Sequence, residues 1–323
     1  MPVVIVRGRI FLVRKSLMML LLVPFFAWTG PCAGWESLPG LPTPRFLGPQ
    51  VSAVDDKIYV VGGMLRDGKT YTETGKVQVF NPSTGTWAES APMPSARCNF
   101  AVTAANGKIF AIGGNRVTNS EVLNIVEEYD PATDRWTRRA DMPTGRWHLA
   151  VGAAKNQIYA VGGRGGNRAF ERYDVEKDAW TRLPDLAAPK ENPFCAVLGD
   201  RLFVLGGTGP DGKEDYAVFE EYEPDAACWL PRPALPTPRT DVAIVAASGR
   251  LFVIGGWQQG GLTAKVEIFN PATNSWTSGS DCPTPVSFAG AAAVGERIFL
   301  AGGAKYLEDG SLAPISLMQA YAP

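Results

Sequence analysis

The sequence predicts an all-β protein built from six copies of one four-stranded antiparallel unit, and three observations predict it. A Gly-Gly pair closes an apolar run at Gly62, Gly113, Gly162, Gly206, Gly255 and Gly302, with spacings of 51, 49, 44, 49 and 47 residues. A Trp recurs in step with it, at Trp35, Trp87, Trp136, Trp180, Trp229 and Trp276. An aromatic stands three residues before every Gly pair: Tyr59, Phe110, Tyr159, Phe203, Phe252 and Phe299. Self-similarity at such a period marks an array of one supersecondary unit, each copy burying what its neighbour leaves exposed.

Within a unit the first strand is an apolar stretch such as Phe100 to Ala104. A tight turn such as Asn106-Gly107 or Ser248-Gly249 leads into the second strand, for instance Lys108 to Gly114. A loop of variable length follows, longest in the first two units. A third strand then ends at an aromatic and a turn, as in Phe80-Asn81-Pro82 or Tyr129-Asp130-Pro131, and a fourth begins at the Trp. Strands apolar on both sides suit a sheet sandwiched between two others. Six such sheets around an axis make a β-propeller, which protects its short edges by radial repetition. Small residues four places into the first strand, Ala101, Ala150, Ala243 and Gly290, fit inner strands converging on that axis.

The phase of the repeat predicts how the ring closes. Trp35 precedes any Gly pair, whereas Gly302 is followed by one more strand ending at Tyr321 and then by the chain end. Residues 35–40 are therefore expected to supply the missing fourth strand of the last unit. The expected blades are residues 41–92, 93–141, 142–185, 186–234, 235–281, and 282–323 completed by 35–40.

The N-terminus reads as an address. Arg7, Arg9, Arg14 and Lys15 precede an apolar run from Leu17 to Trp28, followed by the small residues Gly30, Cys32, Ala33 and Gly34. This is the layout of a cleavable signal peptide over residues 1–34, and the run is short for a bilayer span. Secretion or a periplasmic location is expected, with no membrane span after cleavage. A lipoprotein anchored at Cys32 is the weaker alternative, because Pro31 fits such a signal poorly. An oxidising compartment permits disulfides. Cys98, Cys195, Cys228 and Cys282 are widely spaced and without a CxxC pair, so mainly buried thiols are expected, with Cys228 to Cys282 as the one pairing considered.

Composition bounds the function. The 323 residues hold 46 % hydrophobic and 20 % charged side chains, with 35 Gly, 26 Pro and nine Trp, which excludes disorder and a collagen-like chain. Lys and Arg number 31 against 32 Asp and Glu; loss of the leader's four basic residues takes the net charge from −1 to −5. Nothing in that balance supplies the basic footprint that nucleic acid requires.

The Gly-Gly, Tyr/Phe and Trp pattern, with strand openings such as Pro94-Ser95-Ala96-Arg97 and Pro236-Thr237-Pro238-Arg239, resembles kelch repeats over essentially the whole chain after the leader. The resemblance implies a six-bladed propeller and partner binding at the rim of one face, but no single activity, since function resides in sites grafted on folds.

Counting back from the Gly pair locates candidate site residues. Sixteen residues before it stand Arg97, Arg146, Lys190 and Arg239, with Arg45 one residue further upstream and Val286 in the sixth unit. Two residues on are Asn99, His148, Asn192 and Asp241, on the same side of a strand of period two, with Trp147 alongside. Loops after the Gly pair add Arg164, Arg168, Trp257, Gln258 and Lys305 to the same face. Arginine grips carboxylates in a planar, bidentate manner and Trp offers an apolar platform, so this face is expected to bind an acidic glycan, peptide or protein. The competing reading makes the cations part of the repeat itself, bound to carbonyls or to acids of the next blade.

Catalysis meets specific absences. One histidine cannot furnish a copper radical site, and no G-x-S-x-G elbow is present. Facing carboxylates for glycosidase chemistry are few: Glu191, Asp241 and Asp215. The enzymatic alternative is a carbohydrate-active isomerase, similar to propellers that interconvert sialic acid anomers, or a lyase, using Glu191 or Asp241 with Arg97 and Arg146. The favoured expectation is a monomeric, exported binding module with no cofactor and no metal.

Overall fold

Each element of the repeat occupies the same place six times in the computed structural model, which describes residues 4–6, 9–11, 34–46, 50–206, 216–258 and 260–323. Five blades are sequential antiparallel sheets of four strands. The first is Val51–Val54, Lys57–Val61, Val77–Asn81 and Thr86–Ser90. The second is Ala101–Ala105, Lys108–Ile112, Val126–Asp130 and Arg135–Arg138. The third is Ala150–Ala154, Gln157–Val161, Phe170–Asp174 and Ala179–Arg182. The fourth is Phe194–Leu198, Arg201–Leu205, Phe219–Glu223 and Cys228–Pro231. The fifth is Ala243–Ala247, Arg250–Ile254, Val266–Asn270 and Ser275–Ser278. The sixth takes Gly290–Val294, Arg297–Ala301 and Met318–Ala322 from the C-terminus and Gly34–Ser37 from the other end of the chain. Trp35 pairs with Tyr321 in that sheet, so the ring is closed by the N-terminal strand.

The aromatic repeat explains why blades stack. The second-strand aromatic of one blade meets the third-strand aromatic of the next all the way round: Tyr59 with Tyr129, Phe110 with Tyr173, Tyr159 with Tyr222, Phe203 with Phe269, Phe252 with Tyr321, and Phe299 with Phe80, at centroid separations of 5.5–6.3 Å. Six apolar cores result, one in each gap between neighbouring blades. Each Trp lies 4.9–5.2 Å from its own blade's third-strand aromatic. The indole N–H of five of them reaches back to the preceding blade, as Trp136 to the Ala91 carbonyl at 2.9 Å and Trp180 to that of Ala140 at 2.9 Å. Trp87 to Pro39 and Trp35 to Ser280 carry this stitching across the closure.

The Gly pairs end the second strands two residues earlier than the apolar pattern suggests, at Ile112 in the second blade, because both glycines turn left-handed, with φ of 67° at Gly113 and 101° at Gly114. A Cβ on Gly113 would stand 2.6 Å from the Arg146 carbonyl oxygen, and the Gly114 N–H donates to that same oxygen at 2.9 Å. A side chain there would push adjacent blades apart.

Val4–Val6 and Arg9–Phe11 pair antiparallel in a separate unit, Met1–Cys32. The apolar run Leu17 to Trp28 and Cys32 lie outside the described residues. No described helix is long and apolar enough to cross a membrane. Cys98, Cys195, Cys228 and Cys282 are free thiols, Cys98 and Cys282 buried and the others half-buried, so no Cys228–Cys282 bridge forms.

Candidate functional site

First strands enter and second strands leave at one face of the ring. An isolated bridge ties the two together in five blades, Phe46 to Met64, Cys98 to Asn115, Trp147 to Arg164, Thr240 to Trp257 and Ser287 to Ala304. Two-stranded hairpins rise from this face in blades one, two, five and six. That of blade one, Met64–Asp67 with Thr70–Glu73, is fastened to that of blade six, Ala304–Tyr306 with Leu312–Pro314. Arg66 and Tyr71 both donate to the Leu312 carbonyl, at 2.8 and 3.0 Å.

The five cations expected to line the mouth are internal braces. Arg97, buried completely, donates to the carbonyls of Ser95, Ala111 and Gly113 at 2.9–3.0 Å and pairs with Glu127. Arg239 repeats this with Thr237, Val253, Gly255 and Glu267. Arg146 binds the carbonyls of Gly162 and Ala169 and sits 2.6 Å from Glu171, both side chains having no exposure. Burial pulls its guanidinium down to about 10, against the opposing pull of Glu171. Lys190 holds the Gly206 carbonyl and Glu220. Arg45 is equally buried, but its blade has Gln78 at the position of those glutamates, and only its Nη2 is bonded, to the Val60 carbonyl at 3.0 Å. Burial lowers Arg45 to about 10 as well. The expected basic bowl is thus not made by these residues, because each side chain is buried within its own blade, four of them against a carboxylate. In Val286 only the backbone role of the position survives: its carbonyl accepts the Gly256 N–H at 2.7 Å.

The next predicted set is real as a set but different in kind. Asn99, His148 and Asp241, with Phe288 in the sixth blade, all adopt left-handed backbone, φ 51–55°. They are linked across blades, the His148 N–H donating to the Asn99 carbonyl at 2.8 Å and that of Phe288 to Asp241 at 3.0 Å. Asn192 joins through its side chain, which donates to Asp241 Oδ1 at 3.3 Å. Trp147 lies 4.6 Å from the His148 ring and carries the Arg164 guanidinium 5.0 Å above its own. Burial, then the Arg164 charge, lowers His148 to about 4, so the imidazole is neutral at ordinary pH. Trp257 is half-buried in the hairpin of blade five. Arg168 is committed to the Leu186 and Ala187 carbonyls, and Glu191 accepts from Asn167 at 3.4 Å. Asp215 lies outside the described residues.

Between these elements lies a cavity of about 300 Å³. Its apolar wall is Phe46, Met64, Tyr71, Phe288 and Leu312, and its polar lining is Gln50, Cys98, Asn99 and His148. Gln50 Oε1 and His148 Nδ1 are buried without a hydrogen-bond partner. Gln50 was legible in principle: it occupies the place that Ala101, Ala150, Ala243 and Gly290 hold in other units. Phe288 likewise replaces the Asn, His or Asp of its siblings. A second cavity of similar size runs between the inner strands and is lined by small and apolar residues such as Thr103, Gly152 and Ala246.

The Kelch motif matches residues 45–94, 96–143, 148–187 and 238–283, more than half of the chain. The chain belongs to the kelch-repeat family. Kelch-like protein terF of Aspergillus terreus is 41 % identical over 85 residues, 25 % of this chain and 18 % of that protein. Kelch-like protein 30 of Mus musculus is 39 % identical over 89 residues, 27 % of this chain and 15 % of its own length. Kelch-like protein 41 of Rattus norvegicus is 34 % identical over 90 residues, 28 % and 14 %. The kelch chain therefore aligns with less than a fifth of each of these relatives.

Proposed function

We propose that this kelch propeller is an exported binding module that takes a protein partner on its hairpin-bearing face, at the mouth cavity. Kelch propellers bind protein partners, and the basic and apolar N-terminal pattern supports export. The observation that carries the reading is the apolar cavity between interlocked hairpins, holding two buried polar atoms with no hydrogen-bond partner among the described residues. Buried polar groups are nearly always hydrogen-bonded, so orphaned ones in a walled recess mark a place prepared for something else. An acidic partner held by arginines loses four of its carriers, since Arg45, Arg97, Arg146 and Arg239 are enclosed. The isomerase alternative loses its sugar-carboxylate clamp for the same reason.

Peptides selected from a displayed library on the purified chain test the face. Their affinity is expected to fall at least tenfold on Trp147→Ser and Tyr71→Ser, and to be unchanged on Lys177→Ser, in a turn at the opposite end of the third blade. Binders that ignore the first two variants and lose affinity on the third would overturn the assignment.

A further inference from the structure

We infer that the mouth cavity is a pocket for an uncharged aromatic ring that carries a hydrogen-bond donor, a phenol or an indole, whose donor is received by Gln50 Oε1 or His148 Nδ1. This deepens the reading of the mouth as a binding site and rests on it.

The wall selects the ring. Phe46, Tyr71 and Phe288 supply aromatic surface, and Met64 and Leu312 supply adaptable and aliphatic surface. Aromatic groups meet favourably edge to face or offset, and methionine sulfur contacts rings well. About 300 Å³ lies at the small end of ligand pockets, enough for one ring system and not for a long chain. The wall is also set in advance. Phe46 bridges to Met64, Phe46 and Tyr71 rings lie 5.6 Å apart, and the Tyr71 hydroxyl is fixed on the Leu312 carbonyl.

Polarity and charge select the donor. Three donors of the lining are engaged: Tyr71 to Leu312, Asn99 Nδ2 to Asn115 Oδ1 at 2.9 Å, and Cys98 Sγ to Asn115 Oδ1 at 3.4 Å. The buried atoms of the lining left unpaired are Gln50 Oε1, on a residue only 2 % exposed, and His148 Nδ1, which is an acceptor in the neutral imidazole when the proton is on Nε2. A ligand that brings a hydrogen-bond donor satisfies either of these two buried atoms. No charged side chain lines the cavity among the described residues, so an anion or a cation would be stripped of water with no counter-charge.

Two departures from the repeat converge here. Gln50 stands where three sibling blades have Ala, and Phe288 holds a left-handed backbone at φ 55° that a bulky residue adopts only at a cost. Retained strain of this kind clusters at binding sites, where the fold over-determines it. Phe288 gives up the polar side chain of Asn99, His148 and Asp241 and puts a ring against the cavity instead.

Such a ring comes either as a free small molecule or as a Tyr or Trp side chain on a partner's loop. Dissociation constants of p-cresol, indole, toluene and benzoate are measured on the purified chain by ligand-observed NMR, and those of a cyclic peptide displaying one Tyr by the same method. p-Cresol and indole are expected to bind at least tenfold tighter than toluene and benzoate, because a site built to receive a hydrogen bond rejects the analogue that lacks it. The variant Gln50→Ala, which installs the residue of three sibling blades, combined with His148→Asn, which keeps a residue suited to the left-handed turn, should erase that preference. Much tighter binding of the peptide than of p-cresol identifies a partner's side chain as the source, and equal binding identifies a free ligand. Toluene equalling p-cresol, benzoate exceeding it, a preference that survives both substitutions, or no binding at millimolar probe would each overturn the pocket. Peptide binders that map to the opposite face while p-cresol still binds at the mouth would instead sink the partner reading and leave the pocket standing.

Discussion

Replacing Glu171 by Gln should lower the melting temperature of the propeller by about 5–8 °C. The substitution keeps size and leaves an oxygen for Thr144, which donates to Glu171 Oε1 at 2.7 Å, but removes the charge opposite Arg146. Both side chains are wholly enclosed, so the guanidinium is left with carbonyl dipoles alone. Breaking a buried pair by deleting one partner costs about 3–5 kcal/mol, because an uncompensated charge remains in a medium of low polarity. At roughly 2.1 cal/mol/K per residue, the unfolding entropy of the unit Ala33–Pro323 is about 0.6 kcal/mol/K, so each kcal/mol is about 1.6 °C. Calorimetry on Glu171→Gln tests this directly, and Glu171→Leu, Arg146→Met and the two combined complete a double-mutant cycle. The double variant should be more stable than Glu171→Gln, since replacing a buried pair by apolar groups is often nearly neutral. Additive effects, or a Glu171→Gln cost under about 1 kcal/mol, would refute the brace.

Three further outcomes are expected. His148 is held near 4 in the fold against an ordinary value of about 6.5 unfolded, so the unfolded chain binds the extra proton between those limits and stability falls as pH drops from 6.5 towards 4. At pH 5 this amounts to about 2 kcal/mol, and denaturant titrations of His148→Asn should lose that share of the pH dependence; an unchanged slope would mean that His148 is not buried neutral. Gln78→Glu should supply the carboxylate that Arg45 lacks and raise the unfolding free energy by about 1–3 kcal/mol, read as a higher denaturation midpoint; a lower midpoint would show that the one-residue displacement of Arg45 puts it out of reach. Trp35→Ala should cost about 2–3 kcal/mol, somewhat under the full loss for a buried aromatic because the ring is half-buried, and should match Trp180→Ala in the same thermal assay. A negligible effect at Trp35 with a normal one at Trp180 would mean that the N-terminal strand does not hold the ring shut.

The site divided unevenly between what residue spacing could reveal and what it could not. Counting from the Gly pairs correctly placed Asn99, His148, Asp241 and Trp147 on one face, because strands of the same register begin at the same end of a sheet. The same count made five cations look like a rim. Position along a strand says which face a residue is near, but not whether its side chain runs outward or back under the blade to Glu127, Glu171 or Glu267. Gln50 and Phe288 were visible as exceptions to the repeat, yet nothing in the sequence joins them, since they come from blades one and six and meet only when the ring closes.

By itself, then, the sequence determined the unit and its number: a period of two along each strand, turn residues at fixed offsets and one aromatic set per copy are local properties, and six copies with a displaced first Trp leave one way to complete the last sheet. Only the tertiary structure decided which polar groups are spent and which are left over. That outcome depends on partners more than a hundred residues apart, as when the hairpin of Arg66 locks onto Leu312 and encloses a space beside Gln50. Hydrogen-bond satisfaction is a property of the closed ring, and no stretch of chain carries it alone.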